Sequence, residues 1–164
     1  MPLTNQEQKR YNRHIILHDI RIQGQEKIKE TSILVVGAGG LGSPILYYLT
    51  AAGVGHIGIM DDDVVSESNL QRQILYDTTH VGTPKVTVAT TKLKQLNPFT
   101  RITPYFTRLS LDNALEIISK YDIVMDATDN LHARYLINDA CVMAKKPFSH
   151  AGIIRFQGQL MTYV

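Results

Sequence analysis

The chain has 164 residues, 44% of them hydrophobic, and a formal net charge of +2 at pH 7. These values suit one globular domain with its own core and leave no nucleic-acid footprint or membrane-surface patch. No apolar run approaches the roughly 20 residues of a membrane span, the polar start "MPLTNQEQKR" lacks a signal peptide's apolar segment, and a single cysteine excludes an intrachain disulfide framework, so a cytoplasmic protein is expected.

The first element is predicted from "TNQE" at Thr4–Glu7, which has capping-box spacing and opens a helix through about Arg13. A second short helix is expected near Gln25–Glu30. Ile33–Val36 is an unbroken, β-branched apolar run, the pattern of a strand buried on both faces. It leads into "GAGGLG", and a helix should follow from about Gly42 to Ala52, stopped by Gly53 and Gly55. His56–Met60 is the second strand, ending in Asp61-Asp62-Asp63. After a long polar segment, Pro84 begins a helix that runs to about Leu96 and closes at Asn97-Pro98. The remaining predictions are a strand at Arg101–Phe106, a helix at Leu111–Lys120, a strand at Asp122–Met125 and a helix from about Leu131 to Lys145. A strand near Phe148–Ala151 follows, and "FQGQLMTYV" reads as one more.

Strands alternating with helices imply an α/β, Rossmann-like fold: a doubly wound, mainly parallel sheet with helices on both faces and extra N-terminal helices. Residues 1–30 form the N-terminal helical segment and 31–164 the nucleotide-binding domain. The chain stops inside an apolar strand, so the remainder of a larger protein is expected beyond it.

Gly37, Gly39 and Gly42 follow a strand and open a helix, where glycines let backbone N–H groups approach a phosphate. Nucleotide binding follows, although the glycines alone do not choose among nicotinamide, flavin and mononucleotide. Asp61, about 20 residues on at a strand end, occupies the place of an acid that bonds ribose hydroxyls. The polar stretch "SNLQRQ" does not suit a dehydrogenase: Asn69, Gln71, Arg72 and Gln73 crowd close to the phosphate site. Arg72 offers a planar fork of donors to a triphosphate, and Lys85 adds a point charge. The fourth strand ends in "DATDN", containing Asp126, Asp129 and Asn130, at the crevice outside the carboxyl ends of the strands. A carboxylate beside a triphosphate there suits Mg²⁺, which takes one or two carboxylates plus phosphate oxygens. The set reads as ATP with Mg²⁺ rather than NAD. Cys141 reads as buried packing, and the histidines show no zinc-ligand spacing.

"GAGGLG", "SNLQRQ", the Gly82–Lys85 "G-x-P-K" and "DATDN", in this order and spacing, closely resemble the ThiF/MoeB/HesA family, bacterial relatives of ubiquitin-activating enzymes. "RYNRHIIL" (Arg10–Leu17) resembles the family's N-terminal signature, and "FQGQLM" its strand past the active site. The resemblance implies a nucleotidyltransferase that uses ATP to adenylate the C-terminal glycine of a ubiquitin-like sulfur-carrier protein. By matching positions it implies Gly40 in the nucleotide loop, Asp61 on the ribose and Asn69 and Lys85 on phosphates. It further implies Asp129 on Mg²⁺ and Asn130 beside it. Arg72 and Arg13 resemble arginines that the family supplies across a homodimer interface. The family's structural zinc belongs to a region beyond this chain. "DDDVV", "LQRQILY" and "GQLM" lean toward thiamine synthesis, and "HVGTPKV" toward molybdopterin, with the balance slightly on thiamine. Two other readings stay open: an NAD- or flavin-dependent oxidoreductase, and a non-catalytic carrier-binding module.

Overall fold

A computed structural model describes all residues, 1–164. Its core is a six-stranded sheet in the order β3-β2-β1-β4-β5-β6. The strands are β1 (Ser32–Val36), β2 (His56–Met60), β3 (Arg101–Tyr105), β4 (Ile123–Asp126), β5 (Phe148–Ile154) and β6 (Gln157–Tyr163). The first five run parallel, and β6 turns back antiparallel along β5. Helices α1 (Asn5–Arg10), α2 (Asn12–Ile15) and α3 (Arg21–Glu30) precede the sheet, and α4 (Gly42–Ala52), α5 (Lys85–Leu96), α6 (Ala114–Ser119) and α7 (Leu131–Ala144) connect its strands. The expected doubly wound architecture is present. No helix is long and apolar enough to cross a membrane.

The central strand explains the layering. Alternate residues of β1 point to opposite faces, so Ile33 and Val35 enter one core and Leu34 and Val36 the other. The first core gathers Leu46 of α4 and Val86, Ala89 and Leu93 of α5; the second gathers Ile117, Ile118, Ile137 and Cys141. Leu34 and Val35 are wholly buried, each contributing about 1.5–3 kcal/mol by leaving water.

The register positions the crevice. Val36 pairs with Met60 on one side and Asp126 on the other, so Gly37, Asp61 and Ala127 emerge side by side at the carboxyl edge.

Several boundaries differ from expectation for identifiable reasons. The first predicted helix breaks at Tyr11, whose buried ring packs where a side chain on Gly53 would otherwise sit and whose hydroxyl accepts from Asn97 Nδ2 at 2.8 Å. Helix α3 begins at Arg21 instead of Gln25, with Gly24 packed against Ile20 inside it. Helix α6 starts late because Asn113 accepts from the Ser110 N–H and donates to the Arg108 carbonyl, holding a turn. Strand β4 begins one residue later than predicted, since Asp122 accepts from the Ser32 N–H and hydroxyl. Those bonds hold the Asp122 carboxyl below the usual carboxylate range.

Candidate functional site

The glycine loop bends back on itself between β1 and α4. Gly37 adopts φ 94°, and a Cβ there would meet the Ala127 carbonyl oxygen at 2.7 Å. At Gly42 a Cβ would lie 2.0 Å from the Gly37 carbonyl oxygen, so the turn closes only with glycine. The loop therefore exposes backbone N–H groups at the start of an 11-residue helix, the arrangement that binds phosphate.

Asp61 braces this loop from the end of β2. Its Oδ2 accepts from the Ala38 N–H at 2.7 Å and its Oδ1 from the Asp63 N–H at 2.9 Å. Burial raises its pKa, against the opposing pull of those two N–H donors and of Lys85. The lone pairs these bonds leave are acceptors for a ribose hydroxyl. On the other side of the loop, the buried Tyr76 hydroxyl donates to the Ala38 carbonyl at 2.8 Å.

The polar segment folds over the loop through a short 3₁₀ turn at Glu67–Asn69. Arg72 lies with its Cδ 3.3 Å from where a Gly40 side chain would begin. The turn after Asn69 thus carries the Arg72 stem back over Gly40 of its own chain, while its guanidinium Nη1 lies beside the exposed Gln71. Gln71 is exposed and accepts from Arg72 Nη1 at 3.4 Å, so it stands beside the arginine and outside the cradle. Gln73 is the buried member of the set at 4% exposure, lying against Gly39 and donating to Asn69 Oδ1 at 3.0 Å.

Lys85 is buried at 3% exposure in the first turn of α5. Its Nζ lies 2.9 Å from the carboxylate of Asp63, whose side chain is 68% exposed. The acidic run is otherwise engaged, Asp62 with Arg108 and Asp61 with backbone.

The 126–130 loop is pinned at Thr128. Asp126, 2% exposed, accepts from the Thr128 N–H and hydroxyl with one oxygen, while its other oxygen lies 2.8 Å from His150 Nδ1. Arg134 donates to the Thr128 carbonyl at 3.3 Å and reaches the Ala151 carbonyl at the same distance. Asn130 caps α7 by accepting from the Ala133 N–H at 2.8 Å. The Asp129 carboxylate is exposed and takes no part in these bonds. Two free hard oxygens at the edge of a phosphate crevice fit the Mg²⁺ ligand set.

The structure thus brings Gly37, Gly39, Gly40, Gly42, Asp61, Asn69 and Arg72 together. Lys85 is tied to them through Asp63, and Asp129 and Asn130 flank them on the loop after Ala127. Arg13 lies exposed on α2 and belongs to no contact of this cluster. Tyr76, His150 and Arg134 carry no signal strong enough to single them out in the sequence. Gln73 stands in the polar "SNLQRQ" crowd, and only its burial at 4% exposure sets it apart from Gln71. Cys141 is buried, and burial, with Asp126 nearby, pushes its thiol up to about 11, which leaves it inert at neutral pH.

A family model described as "ThiF family" matches residues 11–164, from the buried Tyr11 through both loops of the crevice to the last strand. The chain belongs to the ThiF family. Among ThiF-family relatives, it is 49% identical to the sulfur carrier protein adenylyltransferase of Thermus thermophilus over 163 residues, 99% of this chain and 60% of that protein. It is 52% identical to the adenylyltransferase and sulfurtransferase MOCS3 of Culex quinquefasciatus, covering 98% of this chain and 37% of the relative. A probable molybdopterin-synthase adenylyltransferase of Porphyra purpurea is 48% identical over 96% of this chain and 41% of its own length. The chain therefore spans 60% or less of these relatives. Among solved structures, the E. coli tRNA N6-threonylcarbamoyladenosine dehydratase TcdA in complex with ATP aligns with a TM-score of 0.85 and 27% identity, covering 94% of this chain and 65% of that one.

Proposed function

We propose that the chain is the nucleotide-binding part of an ATP- and Mg²⁺-dependent adenylyltransferase acting on the C-terminal glycine of a ubiquitin-like sulfur-carrier protein. One observation carries this reading: a single family match embraces the glycine loop, the buried Lys85 and the 126–130 loop, which the fold gathers at one sheet edge. The relatives named as sulfur-carrier adenylyltransferases and the ATP-bound TcdA neighbour support it.

In the reaction, a carboxylate oxygen of the carrier's last glycine attacks the α-phosphorus of ATP. A P–O bond forms to the carboxylate, the bond to the β-phosphate breaks, and pyrophosphate leaves with the displaced electron pair. No proton transfer is required, so the protein contributes position and charge. The loop amides after Ala38 hold phosphate oxygens, and Asp61 holds the ribose. Asn69 and Lys85 meet the negative charge from the polar-segment side. Asp129 would hold Mg²⁺, which supplies further neutralisation of the phosphates when bound. Arg72 and Arg13, the latter exposed on α2, are the residues a homodimer partner would contribute.

Carrier-dependent exchange of labelled pyrophosphate into ATP tests the activity. The carrier of thiamine synthesis, toward which the motifs lean, and the carrier of molybdopterin synthesis are compared side by side. Calorimetry with ATP·Mg²⁺ and with NAD separates this reading from an oxidoreductase. Tight NAD binding, or no ATP binding, would refute it.

A further inference from the structure

Beside Asn69, between the glycine loop and the polar segment, lies a second amide, Gln73, to which nothing above assigns a purpose. Gln73 is buried, its amide nitrogen 3.4 Å from where a Gly39 side chain would begin, and that nitrogen donates to Asn69 Oδ1 at 3.0 Å. Its own Oε1 is buried without a partner. Asn69 is half-buried, and its Nδ2 meets only the hydroxyl of the exposed Ser68, at 3.2 Å.

An asparagine amide has one accepting end and one donating end, and they differ only by a half-turn of the side chain. Only the donating end is useful to a phosphate. In the observed arrangement Gln73 occupies the Asn69 oxygen from inside, which leaves the Asn69 NH₂ as the outward end. The alternative, with both amides turned over, would move the Gln73 NH₂ to the buried position where Oε1 now has no hydrogen-bond partner and would turn the Asn69 oxygen outward. A buried unpaired donor is rarer and costlier than an under-used carbonyl. Gly39 lies directly over the pair, so that a Cβ there would stand in contact with the Gln73 amide.

We infer that Gln73 is a positioning residue: it fixes the orientation of the Asn69 amide so that its NH₂, and not its oxygen, faces the phosphates of the bound nucleotide. The inference rests on the ATP-binding reading above. It adds that the nucleoside is not what Gln73 serves; the polyphosphate is.

Two substitutions probe this in the whole chain. Gln73→Met keeps length and removes the donor, freeing the Asn69 amide to turn. Gln73→Glu replaces it with an acceptor that draws the Asn69 NH₂ inward and turns its oxygen to the phosphates. ATP·Mg²⁺ and adenosine affinities are measured by calorimetry for each, alone and combined with Asn69→Ala, with thermal unfolding as a check on folding. Gln73→Met is expected to weaken ATP roughly tenfold, the scale of one hydrogen bond to a charged group, and Gln73→Glu more. Adenosine affinity stays unchanged in the Met variant. In the Asn69→Ala background, Gln73→Met has no further effect on ATP, because there is no amide left to orient. Should Gln73→Met not fold, the Gln73→Glu cycle alone decides: its loss must shrink when Asn69 is alanine, and a loss of unchanged size overturns the inference. Additive losses in the Met cycle, or equal losses for ATP and adenosine, also overturn it while leaving the ATP reading intact. No ATP binding by the unsubstituted chain overturns both.

Discussion

Lys85→Met separates a structural lysine from a phosphate-binding one, because the two roles predict opposite pairs of results. Lys85 is 3% exposed, yet its partner Asp63 is largely in water, with a side-chain exposure of 68%. Screening on the acid side makes this ion pair a weak contributor to stability. Methionine keeps the buried stem, and the Asp63 it leaves behind is already solvated, so no unpaired charge is stranded indoors. The melting temperature should therefore move by less than about 3 °C, equivalent to about 1 kcal/mol. ATP affinity should fall much further. A charge-assisted hydrogen bond to a phosphate contributes about 1.5–3 kcal/mol, so its loss weakens binding roughly 10- to 150-fold. Calorimetric titration with ATP·Mg²⁺ alongside thermal unfolding reads both quantities from one preparation. Wild-type ATP affinity together with a melting point lowered by many degrees would show that Lys85 serves the fold and not the nucleotide.

Asp129→Ala should abolish carrier-dependent pyrophosphate exchange and leave the melting curve unchanged, since the side chain is exposed and bonds nothing in the loop; near-wild-type exchange removes Asp129 as the Mg²⁺ ligand. Gly42→Ala places a methyl 2.0 Å from the Gly37 carbonyl oxygen, so ATP binding should vanish even where circular dichroism still reports the sheet, and retained binding would mean the turn is not the phosphate cradle. For the borrowed arginines, Arg72→Ala or Arg13→Ala subunits mixed with Asp129→Ala subunits should recover exchange activity that neither has alone; subunit exchange without recovery means that the arginine does not act in trans. Asp122 has its pKa lowered by its bonds to Ser32, so its ionised form stabilises the fold above the unfolded pKa of about 3.9, and that contribution is lost as pH falls through the lower folded value. Melting curves between pH 5 and 2 should thus be flatter for Asp122→Asn than for the parent, and identical acid slopes would refute the linkage.

The strands were legible because burial on both faces leaves a plain record, as Ile33–Val36 shows. The glycine loop was legible because the positive φ at Gly37 and the contact at Gly42 admit no other residue. What the sequence conceals is the direction in which polar side chains turn. Gln71 and Gln73 look equivalent in "QRQ", but the turn after Asn69 sends the first to solvent and the second under Gly39. The path of the Arg72 stem back over Gly40 depends on that same turn. Asn130 suited a nucleotide-contact role, and its cap on α7 was equally present in the spacing to Ala133. Tyr11 ended a helix that its neighbours alone would have continued, because the space above Gly53 had to be filled.

The reversal of direction at the last strand sets how the protein can be handled. Strand β5 runs four residues past the level of Asp126, from His150 to Ile154, so the turn at Arg155 and Phe156 rises beside the mouth of the crevice. Strand β6 then descends, bringing Tyr163 opposite Phe148 at the other rim of the sheet. Seven residues of β6 at about 3.4 Å each place roughly 24 Å between that turn and Val164. Whatever is joined to Val164, whether further polypeptide or a tether, therefore leaves from the rim remote from the glycine loop. A probe inserted at Arg155–Phe156 stands at the entrance and would report, or obstruct, whatever passes in.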